Sequence, residues 1–303
     1  MSRPVSLPVP LPRPASPQRP RVGLALGGGF ARGMSHIGVL KVLTEEGIPI
    51  DYIAGTSVGA VIAAMYASGV SVKELEELAA LVRFRDFARW TVSRFGFCSN
   101  DRMEPFLSNL LKCATFEELQ IPLAVAATDF ETGDPVVFRS GRLVEAIRAS
   151  CAYPGMFLPV EINGRLLIDG LLAHPVPSQP LREMGADRVI GVYLSGHWTK
   201  KNGPRHVFDV IGQCFSIAQD KMCTTWQAYS DVTLLPGVSG FGYDEFARSP
   251  EMIRAGEAAA RAAVPEMKKW LEAPQPQLVP AVVRKPSRQK VTAPVTQEPA
   301  VGQ

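Results

Sequence analysis

The stretch IAGTSVGA, residues 53–60, decides the fold of this chain. It begins as a β-strand, turns sharply at Ser57 and continues as a helix, with Gly55 and Gly59 two residues before and after the serine. This is the G-x-S-x-G pattern of a nucleophile elbow, where glycines avoid the clashes that bulky side chains would make with neighbouring backbone. The turn holds the serine Oγ at the positive end of a helix, which favours developing negative charge. The pattern therefore predicts that Ser57 is a nucleophile.

Strands and helices alternate on both sides of this elbow. The apolar run VGLALG (22–27) is suited to a buried strand, and helical spacing follows from Arg32 to Glu46. IDYIAG (50–55) is the strand that enters the elbow, and SVGAVIAAMYASG (57–69) is the helix that leaves it. This alternation predicts an α/β fold, a mostly parallel sheet with helices on both faces, in a single domain.

Later elements complete the predicted domain. PLAVAATDF (122–130) is another buried strand, and FLPVEINGRLLIDG (157–170) predicts a hairpin that turns at Asn163 and Gly164. The second arm of this hairpin ends at Asp169. Two further stretches, HVFDVIGQCFSIAQDKM and the closing SPEMIRAGEAAARAAVPEMKKWLE, have helical patterns.

The two ends of the chain differ from this domain in composition. Residues 1–20 and 273–303 are rich in proline and lack hydrophobic periodicity, so we expect a disordered arm and a disordered tail. The composition of the arm also suits a polyproline II ligand. The folded domain is therefore predicted over residues 21–272.

Composition and charge exclude several classes of protein. A net charge of +3 in 303 residues is too small to indicate a nucleic-acid partner, although it is compatible with an anionic lipid surface. The five cysteines include no C-x-x-C pair, so neither a disulfide framework nor a zinc site is predicted. The N-terminal residues lack the apolar core of a signal peptide, and no run of about 18 uncharged apolar residues marks a transmembrane helix. We expect a cytoplasmic protein that can contact a membrane peripherally.

A nucleophilic serine needs a base, an oxyanion hole and room for a substrate, whereas a serine that merely caps a helix needs none of them. The run GGGFARG directly follows the first predicted strand. Successive glycines allow a backbone nest in which the N–H groups of Gly28, Gly29 and Phe30 point at one spot. Arg32 can fix the turn by binding carbonyl groups or the anion itself. This loop is the predicted oxyanion hole.

A dinucleotide-binding loop is the main alternative for these glycines, with Asp51 holding the ribose. The G-x-G-x-x-G pattern is not met, however, because Arg32 stands where the third glycine would be. No G-K-[ST] follows, so the run is not a Walker A loop either. The glycine loop after one strand and the elbow after the next together indicate a nucleophile beside an oxyanion hole, and they do so more specifically than either motif alone.

Two kinds of base fit the sequence. An α/β-hydrolase would use a late histidine, and His174 stands close behind Asp169, while His36, His197 and His206 are the other histidines. Alternatively, Asp169 itself is the base, because burial at a strand end would raise the pKa of its carboxyl group. The residues alone leave both possibilities open.

Three segments in this order, GLALGGGFARGMSHIGVLKVL, AGTSVGA and DGLLAHPVP, resemble the patatin-like phospholipase family. AATDFETGDPVVF and AIRASCAYPGMFLPVEINGRLLIDG are similar to what bacterial members carry there, and the resemblance extends from Arg21 to Leu271. It implies a dyad instead of a triad, with Ser57 as nucleophile and Asp169 as base. It also implies that the N–H groups of the glycine loop form the oxyanion hole.

The activity implied by the resemblance is hydrolysis of acyl esters in phospholipids or lysophospholipids, through an acyl-enzyme and without a metal or other cofactor. Two positions depart from the family: Phe30 stands where many members have glycine, and Leu171 stands where many have glycine or alanine. Neither change removes a reacting group, so we expect activity, while the substrate preference need not follow that of the family. Two rival hypotheses are a non-catalytic lipid-binding or adaptor protein with the same fold and a Ser-His-Asp esterase.

Two further features have both structural and functional interpretations. The segment from Arg83 to Phe97 interleaves aromatic residues with arginines, which suits either a lid that meets lipid or a packed helix pair, and we expect the helix pair. Asp129, at the end of a buried strand, is expected to cap or brace the site instead of reacting. The patterns specify neither head group, chain length nor oligomeric state.

Overall fold

The computed structural model of the protein describes residues 19–93, 96–195 and 207–272. The predicted tail and the predicted arm up to residue 18 lie outside these residues. Arg19, near the end of the predicted arm, is described and binds both carboxylate oxygens of Asp51. Defined contacts therefore begin two residues before the predicted start of the domain at Arg21.

Eleven strands and ten α-helices occur in the described residues. The strands are β1 (Val22–Leu26), β2 (Tyr52–Thr56), β3 (Arg89–Ser93), β4 (Gly96–Ser99), β5 (Leu123–Asp129), β6 (Pro135–Phe138), β7 (Gly155–Phe157), β8 (Val160–Ile162), β9 (Arg165–Asp169), β10 (Arg188–Val192) and β11 (Val232–Leu234). The helices are α1 (Ser35–Glu45), α2 (Val58–Ala67), α3 (Val72–Leu81), α4 (Phe84–Phe87), α5 (Met103–Leu110), α6 (Leu143–Ser150), α7 (Ser178–Met184), α8 (Val207–Lys221), α9 (Cys223–Gln227) and α10 (Ser249–Glu272). Short 3-10 turns lie at Phe30–Met34, Phe116–Glu118, Gly170–Leu172 and Phe246–Arg248.

The larger of two sheets has the strand order β11-β10-β1-β2-β5-β9-β8, and β6 also pairs with β5. Its five strands from β11 to β5 are parallel, whereas β6, β8 and β9 run antiparallel to the strands they pair with. The prediction of a mostly parallel sheet is confirmed. Because β1 and β2 are adjacent and parallel, the glycine loop after β1 and the elbow after β2 emerge side by side at one edge.

Helices cover both faces of this sheet, because successive side chains of a strand point to opposite faces. Leu24 and Ile53 belong to the larger core, together with residues of α1, α2 and α10. Ala25 and Ala54 face the other layer, where Leu181 of α7 packs against the sheet. The small alanine side chains allow α7 to lie close to β1 and β2. The predicted α/β architecture is therefore confirmed.

The predicted hairpin is also confirmed. Strands β8 and β9 are antiparallel, and Asn163 (φ 53°) and Gly164 (φ 74°) both have the positive φ that a type I′ turn requires. The register places Thr56 opposite Ala126 on one side of β5 and Asp169 opposite Ala127 on the other. The hairpin therefore brings Asp169 to the level of the elbow, with only β5 between β2 and β9.

The closing helix α10 packs against α1 at backbone distance. A Cβ at Gly38 would collide with the carbonyl oxygen of Ile253, and a Cβ at Gly256 would collide with the carbonyl oxygen of Ser35. Only glycine fits at such close approaches. Since α1 follows the glycine loop directly, α10 supports the helix on which that loop rests.

The helix pair predicted between Arg83 and Phe97 is wrong. This segment forms the one-turn helix α4 and the antiparallel strands β3 and β4, and β4 pairs with β7 to make a second sheet of three strands. The run Trp90-Thr91-Val92 explains the difference, because aromatic and β-branched residues favour strands. Phe84 packs against the core, with its ring centroid 6.1 Å from that of Phe157, whereas Trp90 is 67% exposed.

Candidate active site

The structure places a sharp turn at Ser57, between β2 and α2. The residue has φ 55° and ψ −126°, a backbone conformation that residues other than glycine rarely adopt. A Cβ at Gly55 would collide with the carbonyl oxygen of Gly59, and a Cβ at Gly59 would collide with that of Leu26. The two glycines are therefore required by close approach of backbone, which is the reason that the pattern needs them.

Ser57 and Asp169 are in direct contact. Oγ of Ser57 donates a hydrogen bond to Oδ2 of Asp169 over 2.7 Å, and the N–H of Leu171 donates to the other carboxylate oxygen over 3.0 Å. The backbone of Asp169 is held as well, because its carbonyl accepts from Oγ1 of Thr128 and its N–H donates to Ala152. The carboxylate is thus fixed in one orientation toward the serine.

Burial changes the acidity of this carboxyl group. The side chain of Asp169 is fully buried, and desolvation raises its pKa to about 7, although the hydrogen bonds from Leu171 and Ser57 act in the opposite direction. A carboxylate with this pKa is a much stronger base than an exposed aspartate, and a large fraction of it is ionised near neutral pH. The pair can therefore transfer the serine proton without an imidazole.

Neither histidine near the site takes part in this pair. The ring of His36 is fully buried and lies 2.8 Å from the carbonyl oxygen of Gly27, and burial lowers its pKa to about 4. His174 contributes backbone hydrogen bonds to Thr56 and Gly170, and burial lowers its pKa too. Within the described residues no hydrogen bond joins either ring to the serine or to the aspartate. His197 and His206 lie outside the described residues.

The glycine loop lies beside the elbow. A Cβ at Gly28 would stand 3.1 Å from Cβ of Ser57, so the backbone of the loop passes directly next to the serine. The N–H of Ala31 donates to Tyr243, and that of Arg32 donates to Gly29. In the described part of the chain, the N–H groups of Gly28, Gly29 and Phe30 donate to no protein group. They are the donors that remain for a ligand.

The side chains of Phe30 and Arg32 both make contacts that hold this loop. Phe30 has φ 51°, so the chain adopts the left-handed conformation here although the residue carries a Cβ. Its ring packs edge-on against Tyr153 at 4.9 Å, a contact that glycine could not make. Arg32 donates to the carbonyl oxygens of Gly29 and Ser195. Its contacts in the structure therefore brace the turn.

Ser150 is a residue of the site that the sequence analysis missed. Its Oγ accepts the N–H of Ser57 over 2.8 Å and donates to the carbonyl oxygen of Ala126 over 2.6 Å. This hydroxyl ties the elbow to β5 and occupies the N–H of the serine, so that N–H is not part of the oxyanion hole. A single serine at the end of a helix has no pattern that would have revealed this role.

The aspartates weighed for other roles lie apart from the reacting pair. Asp51 accepts hydrogen bonds from Arg19 and from the N–H of Val22, at the start of β1, whereas the glycine loop follows the end of β1. It is thus at the wrong end of the strand to hold the ribose of a nucleotide bound to that loop. Asp129 binds Arg165 and the backbone of the following turn, and so braces the end of β5.

An apolar pocket of about 220 Å³ begins at Ser57. It follows one face of α2 and is closed by α3 and α5. Its lining from α2 consists of Val58, Val61, Ile62 and Met65, which recur at helical spacing. Because Met65 lies seven residues after Val58, the pocket runs along the helix for about 10 Å. Leu81 lines the pocket and is 72% exposed, so the pocket reaches the surface there.

Among the described residues, no cluster of three or more His, Cys, Asp or Glu side chains could hold a metal ion. None of the helices in the described ranges combines the length and the apolar character needed to cross a bilayer.

Comparison with known proteins agrees with this fold. The family model described as "Patatin-like phospholipase" matches residues 24–182, more than half of the chain. An NTE family protein of Mycobacterium tuberculosis is 39% identical over 180 residues, which cover 58% of this chain and 50% of the relative. A protein of Cryptococcus neoformans named Lysophospholipase NTE1 is 34% identical over 178 residues, 57% of this chain and 11% of that protein. This chain thus matches at most about half the length of these relatives.

A solved structure supports the same architecture. VipD from Legionella pneumophila superimposes with a TM-score of 0.57 over 83% of this chain and 68% of that one. The sequence identity is 12%, so the likeness concerns the fold.

Proposed function

Because this chain belongs to the patatin-like phospholipase family, we propose that it is a serine lipid acyl hydrolase. Its substrates are acyl esters of phospholipids or lysophospholipids. The observation that carries the proposal is the 2.7 Å hydrogen bond between Ser57 Oγ and Asp169 Oδ2, beside backbone N–H groups that have no protein partner among the described residues. This arrangement supplies a nucleophile, its base and donors for an oxyanion within one small space.

In the first half of the reaction, Ser57 Oγ attacks the ester carbonyl carbon while Asp169 accepts the hydroxyl proton. The tetrahedral oxyanion accepts hydrogen bonds from the N–H groups of Gly28, Gly29 and Phe30. When the carbon–oxygen bond to the alcohol breaks, Asp169 returns the proton to the leaving oxygen. The product that stays behind is an acyl ester of Ser57.

In the second half, a water molecule attacks the acyl-Ser57 carbonyl and gives its proton to Asp169. The oxyanion forms again at the same donors, and the carbon–oxygen bond to Ser57 then breaks as Asp169 returns the proton to Oγ. The carboxylate pKa of about 7 fits both directions of transfer, since a base of intermediate strength can accept and release a proton near neutral pH.

The pocket favours a long apolar acyl group. Its lining consists almost wholly of aliphatic and aromatic side chains, and the space begins at the nucleophile. Three exposed arginines, Arg83, Arg85 and Arg89, follow Leu81 in the chain. The Arg83 guanidinium donates to the carbonyl oxygens of Ala80 and Val82, and that of Arg89 pairs with Asp101. Guanidinium groups bind phosphate well, so the opening of the pocket at Leu81 suits an ester with a phosphate in its head group. The relative named Lysophospholipase NTE1 supports the same substrate class.

A peripheral membrane contact at the same opening is part of the proposal. Leu81 and Trp90 are more than half exposed, and both belong to the stretch that carries the three arginines. Exposed aromatic and aliphatic side chains insert at the boundary between head groups and acyl chains, while arginines meet the phosphates. This contact would present a lipid ester directly to the pocket.

Covalent labelling tests the proposal. A fluorophosphonate probe should modify the peptide that contains Ser57, and Ser57→Ala should abolish both labelling and turnover of a lysophospholipid, a phospholipid and a neutral ester. Ser68→Ala is the matched control, because Ser68 is equally buried, lies at the other end of α2 and donates to Met65. A wild-type protein that binds lipid vesicles but is neither labelled nor active would be a non-catalytic lipid-binding protein instead.

A further inference from the structure

We propose that His36 is a positioning residue, which orients the Gly27–Gly28 peptide so that the N–H of Gly28 points at the oxyanion. The proposal rests on the proposed function, because it concerns the same oxyanion hole. Nε2 of His36 lies 2.8 Å from the carbonyl oxygen of Gly27, and the ring is completely buried. No other side chain in the described residues binds this carbonyl group.

Because a peptide unit is planar, the hydrogen bond between His36 and the Gly27 carbonyl also fixes the direction of the Gly28 N–H. The carbonyl of Gly27 and the N–H of Gly28 belong to one planar trans unit, in which C=O and N–H point in opposite directions. The carbonyl oxygen is directed at His36 and lies against Gly59, where an added Cβ would approach it to 2.7 Å. The opposite side of the unit therefore carries the free N–H of Gly28, whose α-carbon lies next to Ser57.

The carbonyl of this peptide has no other side-chain partner among the described residues. Glycine residues on both sides of the bond allow many backbone conformations, so the unit could rotate and turn its N–H away from the site. A hydrogen bond to the carbonyl oxygen removes that freedom before the substrate binds. It also polarises the peptide, which makes the N–H of Gly28 a stronger donor.

The tautomer of the ring is fixed by its partner. A carbonyl oxygen can only accept, so Nε2 carries the hydrogen, and Nδ1 is left as a bare acceptor. Nδ1 has no partner among the described residues. A buried nitrogen without a partner destabilises the fold, and a leucine would fill similar space without that penalty. The hydrogen bond that Nε2 donates to the Gly27 carbonyl therefore explains why a histidine stands here. The low pKa of His36 keeps its ring neutral during the reaction.

Two substitutions separate positioning from simple packing. His36→Leu fills the space but removes the donor, whereas His36→Gln keeps an amide N–H at a similar reach. We expect acylation of Ser57 to slow by about 10- to 100-fold in the leucine variant, less than the ~10²–10³ that follows direct loss of an oxyanion donor. The glutamine variant should recover most of the rate. KM should change little in either variant. A residue that served only packing would give the opposite order, with leucine tolerated and glutamine impaired.

The measurement is the rate constant for fluorophosphonate labelling of Ser57, made on folded protein verified by circular dichroism. If His36→Leu fails to fold, His36→Asn replaces it, because the asparagine amide is too short to reach the Gly27 carbonyl and should be slow while glutamine is fast. A second readout is the amide proton shift of Gly28 in the labelled protein, which should move upfield when the donor is lost. Equal rates and an unchanged Gly28 shift in all variants would overturn the proposal. An unreactive wild-type protein would instead refute the proposed function itself.

Discussion

Ser57 Oγ donates to Asp169 Oδ2 over 2.7 Å, across 112 residues of sequence, and no imidazole stands between the two groups. The contact arises because β9 is antiparallel to β5 and ends level with the elbow. In a histidine-based triad the imidazole sets the strength of the base, whereas in the proposed dyad the burial of the Asp169 carboxylate would set it.

The rate of acylation should depend on pH through Asp169. The carboxyl pKa is raised from 3.8 to about 7, and the group can act as a base only when it is ionised. We therefore expect labelling and kcat/KM to be low at pH 5, to reach half of their maximum at pH about 7 and to level off above pH about 8, with a single ionisation. Labelling rates measured between pH 5 and 9 check this. A profile that is flat over this range would contradict it.

Asp169→Asn should abolish turnover and yet stabilise the fold. The folded pKa lies above the unfolded value, so the destabilisation by a buried charge is fully present above pH about 7 and vanishes below pH about 4. Removing the charge should raise the melting temperature at pH 8 and have a much smaller effect at pH 5. Thermal unfolding of both proteins at the two pH values measures this.

Asp129→Asn is the control for that experiment, because it should change the melting temperature at pH 8 in the opposite direction. The pKa of Asp129 is lowered from 3.8 by a backbone hydrogen bond from Thr132 and by Arg165. Its charge therefore stabilises the fold equally at pH 8 and pH 5, and this stabilisation is lost only as the pH falls below about 4. The asparagine variant should therefore melt earlier than wild type at pH 8. If both variants shifted the melting temperature in the same direction at pH 8, burial of Asp169 would not explain its effect.

Ser150→Ala should impair catalysis although Ser150 touches no reacting atom. The change leaves the N–H of Ser57 and the carbonyl of Ala126 without partners, each a loss of roughly 1–3 kcal/mol for a buried group. The elbow would then shift, and a displacement of about 1 Å can reduce a rate by ~100-fold. We expect acylation to slow by about 10- to 100-fold, measured by labelling rate. Ser68→Ala is the matched control and should label at the wild-type rate.

Met65→Trp should shorten the acyl pocket. Met65 lies about 10 Å along α2 from the residue that follows the nucleophile, so a larger side chain there blocks only the distal part of the space. Hydrolysis of short acyl esters should be little changed, while esters whose chains reach Met65 should lose at least about 10-fold in kcat/KM. A series of p-nitrophenyl esters of increasing chain length measures this, with Met65→Leu as the control. A uniform loss across the series would show that the pocket does not hold the chain.

The parts of the site that could be predicted from sequence are those fixed by local backbone geometry. The elbow at Ser57 needs glycines at set positions, and the loop after β1 needs glycines to form a nest, so both leave patterns that can be found without a structure. Asp169 could be located only through a hairpin and a resemblance, because its contact with the serine depends on how β9 pairs with β5.

The parts that could not be predicted depend on tertiary contacts of single residues. Ser150 binds the elbow through one hydroxyl, and His36 binds the loop through one ring nitrogen, and neither belongs to a repeating pattern. Arginine stems and aromatic rings can cover a core on helices as well as on strands, so the residues from Arg83 to Phe97 do not by themselves distinguish a helix pair from β3 and β4. Strand β3 pairs with β4, and β4 pairs with β7, which lies more than 50 residues later in the chain.

The close contact between α1 and α10 determines how much of the chain is needed to keep the proposed active site folded. The family model matches residues up to 182, but β10, the parallel neighbour of β1, and α10, which packs on α1 through Gly38 and Gly256, both come later in the chain. A fragment cut at the end of the matched range would expose one side of β1 and the face of α1 behind the glycine loop. Transplanting the proposed active site into another protein would therefore require the sequence through Glu272.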